Sequence, residues 1–174
     1  GKQGLQAGDA LILTRPVGAG VLFAARARGM ARTRWIRRAI AVMDASNAAA
    51  ATVLREYGAR ACTDVTGFGL LGHLGEMLRA SDVSAEVSIA SVPFYEGAID
   101  MLQAGVASSL QSNNEQTLQD FALDGVAADA PALRLLVDPQ TAGGLLAGVP
   151  ASRAHACVAA LRGGGYPDAA IIGR

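Results

Sequence analysis

The sequence predicts an α+β domain in which helices flank a mixed β-sheet. Three observations lead there. Short apolar runs of strand length alternate with segments whose apolar residues recur at helix spacing. Some returns between these segments are short. One run, Val83 to Ile89, alternates apolar and polar residues, as a half-exposed strand does and a strand of a parallel barrel does not.

The chain has 174 residues, which suits one domain with a sizeable core. Apolar residues make up 51% but aromatics only 5%, so the core must be built from Ala, Leu, Val and Ile. Fifteen basic residues balance fifteen acidic ones. Arg26, Arg28, Arg32, Arg34, Arg37 and Arg38 cluster, without the interleaved stacking aromatics of a nucleic-acid channel. They read as a solvated or subunit-facing surface, with no nucleic-acid partner. No apolar run approaches the roughly 18 residues that a membrane-spanning helix needs. Cys62 and Cys157 belong to no Cys-x-x-Cys pair. Two such thiols suggest buried residues in a reducing, cytoplasmic setting. The chain opens at Gly1 without a methionine, as though excised from something longer.

Taken in order, Ala10 to Thr14 is a continuous apolar run, predicted as a buried strand ending before Pro16. A helix from about Val21 follows and stops at Gly29. The Gly18-Ala19-Gly20 step between them is either a second anion-binding turn or a plain tight turn. Trp35 to Tyr57 reads as a long helix interrupted near Ser46-Asn47, with Asn47 a satisfied buried amide. Val83 to Ile89 is the cleanest period-two strand. A helix from Tyr95 to Gln103 comes next. Gly105 to Ala130 is irregular, with a short helix from Glu115 and a surface loop from Asp124. Leu133 to Val137 is predicted as a buried strand, and Gly144 to Val149 returns as the next one. Asp138, between them, either binds a metal or caps its own turn. Ala154, Cys157, Val158 and Leu161 mark a last helix, and Ala169 to Ile172 a last strand.

The stretch from Ala61 to Leu74 carries the most chemistry. A short β-prone run ends at Asp64, turns at Thr66-Gly67-Phe68-Gly69 and becomes a helix bearing Leu70, Leu71, Leu74, Met77 and Leu78. A glycine-rich strand-to-helix turn lets backbone approach a ligand closely, and the N–H groups of a helix start favour an anion. Asp64, just before the turn, is placed to hold a hard cation that bridges to phosphate. The turn is neither a P-loop nor a dinucleotide fingerprint. It serves either as structural punctuation or as a site for phosphate and Mg²⁺. Gly72 and Gly75 weaken the helix and are expected to permit close packing on the sheet. His73 reads as structural, and Cys62 as an inert strand thiol.

Three blocks resemble selenophosphate synthetase (selenide, water dikinase), in that family's order. They are Gly8-Asp9-Ala10-Leu11-Ile12-Leu13-Thr14-Arg15-Pro16-Val17-Gly18-Ala19-Gly20, Thr63-Asp64-Val65-Thr66-Gly67-Phe68-Gly69-Leu70-Leu71-Gly72-His73-Leu74, and Asp138-Pro139-Gln140-Thr141-Ala142-Gly143-Gly144-Leu145-Leu146. The family usually has Lys at the Arg15 position. The resemblance covers only the C-terminal half of that enzyme, so residues 1–174 read as a single C-terminal domain of a larger synthetase. It implies the C-terminal-domain fold of the aminoimidazole ribonucleotide synthetase superfamily, with a four-stranded sheet. It further implies an enzyme that makes selenophosphate from selenide, ATP and water, releasing AMP and orthophosphate. In that family the Asp at the Asp64 position is a Mg²⁺ ligand. Thr66, Gly67 and Gly69 then become the phosphate-facing turn. The reactive Cys or selenocysteine and the essential Lys lie in the absent N-terminal domain. No catalytic residue is therefore expected here, and the fragment alone is expected to be inactive. The parent would pair with its own N-terminal domain and form a homodimer. The competing readings are a sister ATP-dependent enzyme of the superfamily and a binding or dimerisation domain that has lost the chemistry.

Overall fold

The structure is a computed structural model describing residues 1–174. Four strands, β1 (Asp9–Leu13), β2 (Ala61–Asp64), β3 (Leu145–Pro150) and β4 (Ala170–Gly173), form one sheet in the order β2-β3-β1-β4. Eight helices surround it: α1 (Ala19–Ala27), α2 (Thr33–Asp44), α3 (Ala48–Glu56), α4 (Gly69–Ser81), α5 (Ala98–Gln103), α6 (Gln111–Asn114), α7 (Pro131–Leu135) and α8 (Ala151–Gly163). The expected α+β sandwich is present, with one correction. Every strand pairing in the sheet is antiparallel, not mixed. Parallel pairing is confined to a single bridge between Val17 and Phe94.

Period-two alternation divides β1 between two cores. Leu11 and Leu13 join Leu146 and the α4 residues Leu70, Leu74 and Met77 on one face. Ala10 and Ile12 join Ala147, Val149, Leu54 of α3 and Cys157 and Leu161 of α8 on the other. Burial on both faces explains why the run is continuously apolar although its partners are antiparallel. A third core lies beyond the sheet, where α1, α2 and α5 bury Val21, Leu22, Trp35, Ile36 and Leu102.

The long helix from Trp35 breaks where expected. Ala45 is extended between α2 and α3, and the Ser46 carbonyl accepts a 2.6 Å hydrogen bond from the Tyr166 hydroxyl. Two predicted strands are absent. Val83 to Ile89 forms one bridge, Val87 to Gly173, with flanking hydrogen bonds between Glu86 and Arg174 and from Ser88 N–H to the Ile172 carbonyl. The segment leaves the edge of β4 too soon to build a ladder, because a 3₁₀ turn starts at Ile89. Leu133 to Val137 is the end of α7 and the turn after it. Pro131 at the first helical turn starts a helix that a short apolar run cannot distinguish from a strand. Gly72 and Gly75 face Phe68 and Arg79 of their own segment rather than the sheet.

Candidate functional site

The antiparallel register brings the three sequence blocks to one end of the sheet. There β1 and β2 finish and β3 begins: Leu13 pairs with Leu146, and Asp64 with Leu145. The loop from 138 to 144 crosses this end and packs against both other blocks. The Gln140 N–H donates to the Thr66 carbonyl at 3.0 Å, and the Val65 N–H to the Gly144 carbonyl at 2.9 Å. The Thr14 hydroxyl accepts from the Leu145 N–H at 2.8 Å.

Asp64 is exposed at the end of β2, and its carboxylate enters no hydrogen bond or ion pair of the chain. A carboxylate left without a partner beside a glycine-rich turn is available to an outside cation. The residues fit one ligand of a hard cation such as Mg²⁺ and not a complete site, since no three His, Cys, Asp or Glu residues gather anywhere. Mg²⁺ is commonly held by one or two carboxylates with phosphate and water completing the octahedron.

The turn beyond Asp64 is held from beneath. The Asn114 amide donates to the carbonyls of Gly67 at 2.8 Å and Val137 at 3.0 Å. Gly67 has open space around its Cα, whereas Gly69 has φ +70° and lies where a Cβ would be 2.6 Å from the Val137 backbone. The Gly69 N–H is bonded to the Thr66 carbonyl at 3.0 Å. Gly67 therefore faces outward, and Gly69 makes the turn possible. The Thr66 hydroxyl lies 3.0 Å from Nε2 of His73, whose Nδ1 is 3.1 Å from Glu76. Lys2 closes the series with a 2.7 Å ion pair to Glu76 and holds that carboxyl below its ordinary range. His73 is buried, as a structural residue should be, but its partners are polar.

The second glycine turn is already occupied. The side-chain oxygen of Gln140 accepts from the Gly18 and Ala19 N–H groups, each at 3.2 Å. Asp138 accepts from the Gly20 N–H at 2.8 Å. These two side chains fill the N-terminus of α1 in the manner of caps, which leaves no room for an exogenous anion. Asp138 is fully buried and does cap, but it caps α1 rather than its own turn. Burial pushes its carboxyl up to about 7, against the opposing pull of the Gly20 and Gln140 donors.

Arg15 is buried where β1 ends. Its guanidinium donates to the carbonyls of Ala142, at 3.1 Å, and Ala45, and lies 5.9 Å from the Tyr166 ring centroid. It thus neutralises the C-terminal end of α2 and ties it to the 138–144 loop. A cavity of about 220 Å³ beside it is lined by Thr14, Arg38, Tyr166 and Asp168 among others. A second, of about 350 Å³, lies around Leu78, Arg79 and Asp82. Neither includes Asp64, whose surroundings are an open face. Both cysteines are free. Cys62 is half-buried rather than buried, and desolvation raises its thiol above the ordinary value.

Asn114 and Gln140 carry no role in the sequence reading. Gln140 stands inside a recognised block, but the N–H groups its side-chain oxygen caps lie more than 120 residues away along the chain, and no local pattern announces them.

A four-stranded antiparallel sheet with helices on both faces and its loop blocks gathered at one end defines an α+β sandwich domain. Residues 6–174 match the family described as AIR synthase related protein, C-terminal domain, and the chain belongs to that family. It is 40% identical over 172 residues to a selenide, water dikinase of Pelobacter propionicus, an alignment covering 99% of this chain and 49% of that protein. The chain therefore spans about half the length of that relative. The crystal structure of hydrogenase maturation protein HypE in complex with ATP shares the fold at a TM-score of 0.66 and 22% identity, over 99% of this chain and 44% of the other. Thiamine-monophosphate kinase of Stenotrophomonas maltophilia K279a does so at 0.58 and 19%, over 99% and 49%.

Proposed function

We propose that this chain is the C-terminal domain of a selenide, water dikinase, an ATP-dependent enzyme making selenophosphate from selenide, ATP and water with release of AMP and phosphate. The observation that carries the reading is the unpartnered Asp64 carboxylate on an open face beside the Thr66-Gly67 turn. The identity to a selenide, water dikinase along nearly the whole chain supports it. In this reading Asp64 supplies one oxygen ligand to a Mg²⁺ whose other ligands come from an N-terminal domain and the triphosphate. The bound cation would neutralise charge on the phosphate oxygens. Thr66 and Gly67 lie against the same phosphates, and Gly69 shapes the bend that presents them. The nucleophile and the lysine belong to the N-terminal domain, so the 174-residue chain alone forms no AMP. The working enzyme is a homodimer in the cytoplasm.

The test is selenide-dependent AMP formation by the chain joined to an N-terminal half of the same family. Activity that Asp64→Asn abolishes supports the reading. Selenide-dependent activity that survives Asp64→Asn rejects the metal role, and a folded two-domain protein with no activity favours a domain that has lost the chemistry.

A further inference from the structure

The Thr66 hydroxyl has its direction set by the groups behind it. Lys2 lies 2.7 Å from Glu76 Oε2 and holds the carboxyl ionised. An ionised carboxylate only accepts hydrogen bonds. The His73 Nδ1, 3.1 Å from that same oxygen, must therefore carry the proton. In the neutral ring Nε2 is then an acceptor, and its partner, 3.0 Å away, is the Thr66 hydroxyl. With that ring neutral, the hydroxyl hydrogen points inward to His73, and only oxygen lone pairs remain for the open face.

We infer that His73 is a positioning residue that presents the Thr66 oxygen as an acceptor, suited to a water coordinated to a divalent cation rather than to a phosphate oxygen. The inference rests on the proposed cation at Asp64 and changes what Thr66 does there. An unprotonated phosphate oxygen needs a donor, which Thr66 in this state does not supply. A coordinated water is itself a donor, and Mg²⁺ keeps several. Asp64 and Thr66 then act on one hydrated ion, the first through its carboxylate and the second through a bound water. Phosphate is left to the N–H groups of Gly67 and Phe68, which bond to nothing in the chain.

Two measurements test this, the first on the chain itself. Nitrogen-15 NMR of the His73 ring should show the Nδ1–H tautomer. Glu76→Gln, whose amide can donate to Nδ1, should move the ring toward Nε2–H. An Nε2–H or doubly protonated ring in the unaltered protein overturns the inference. Mn²⁺ with ATP, added to the chain joined to an N-terminal half of the same family and followed by broadening of the amide signals around Asp64, gives the second readout. Thr66→Ser should keep the affinity, and Thr66→Val should weaken it roughly two- to tenfold, the size of one hydrogen bond. Equal affinity in Thr66→Val, with binding still lost in Asp64→Asn, sinks the Thr66 role and spares the metal role. Broadening that survives Asp64→Asn, or no broadening at all, removes the cation and the inference together. Inorganic phosphate shifting the Thr66 signals in the absence of Mn²⁺, and losing that effect in Thr66→Val, also overturns it.

Discussion

The Asp138 carboxylate accepts a 2.8 Å hydrogen bond from the Gly20 N–H, joining residues 118 positions apart. Through it the 138–144 loop is clamped to the start of α1, and Gln140 reinforces the clamp through Gly18 and Ala19.

Asp138 makes stability depend on pH. Its carboxyl titrates near 7 when folded and near its ordinary value of 3.8 when unfolded. Between those values the folded state binds more protons, so stability falls as pH rises. The contribution is fully present below about pH 4 and is lost by about pH 7. Asp138→Asn should flatten this part of the stability profile, measured by urea unfolding at a series of pH values. A slope unchanged by the substitution would contradict the assignment.

Gly69→Ala should destabilise the domain by about 2 kcal/mol or more. The new Cβ meets the Val137 backbone at 2.6 Å, and φ is +70°. Gly67→Ala has open space around it and should cost far less. Thermal melts of the pair check the contrast.

Arg15→Lys should cost about 1–2 kcal/mol. A lysine keeps the charge, but one ammonium does not reproduce a fork that spans the Ala142 and Ala45 carbonyls. Unfolding midpoints of the two proteins give the comparison, and equal midpoints would show that charge alone suffices.

Asp64→Asn should leave stability within about 0.5 kcal/mol, as an exposed substitution without partners does, while removing Mn²⁺ binding. A large loss of stability would give Asp64 a structural role instead.

How much the sequence disclosed differed from element to element. The break between α2 and α3, the strand at Ala10 to Thr14, observed one residue earlier as Asp9–Leu13, and the turn after Asp64 were legible because each rests on local chemistry: polar residues between two apolar faces, an apolar run, glycines at a bend. Leu133 to Val137 was not. Four apolar residues around Arg134 satisfy a buried strand and a short buried helix equally, and packing of Leu135 into the core shared with α1 and α5 chose the helix. Val83 to Ile89 has a strand's pattern, but β4 offers it room for a single bridge.

The sequence by itself determined the two-faced sheet, the glycine-rich turn and the carboxylate placed before it. Each follows from side-chain periodicity or backbone freedom within a few residues. Only the tertiary structure decided that the first glycine turn is filled by Asp138 and Gln140 while Asp64 stays free. That difference depends on which side chains, far away in the chain, the antiparallel register brings within 3.2 Å of the N–H groups at the start of α1.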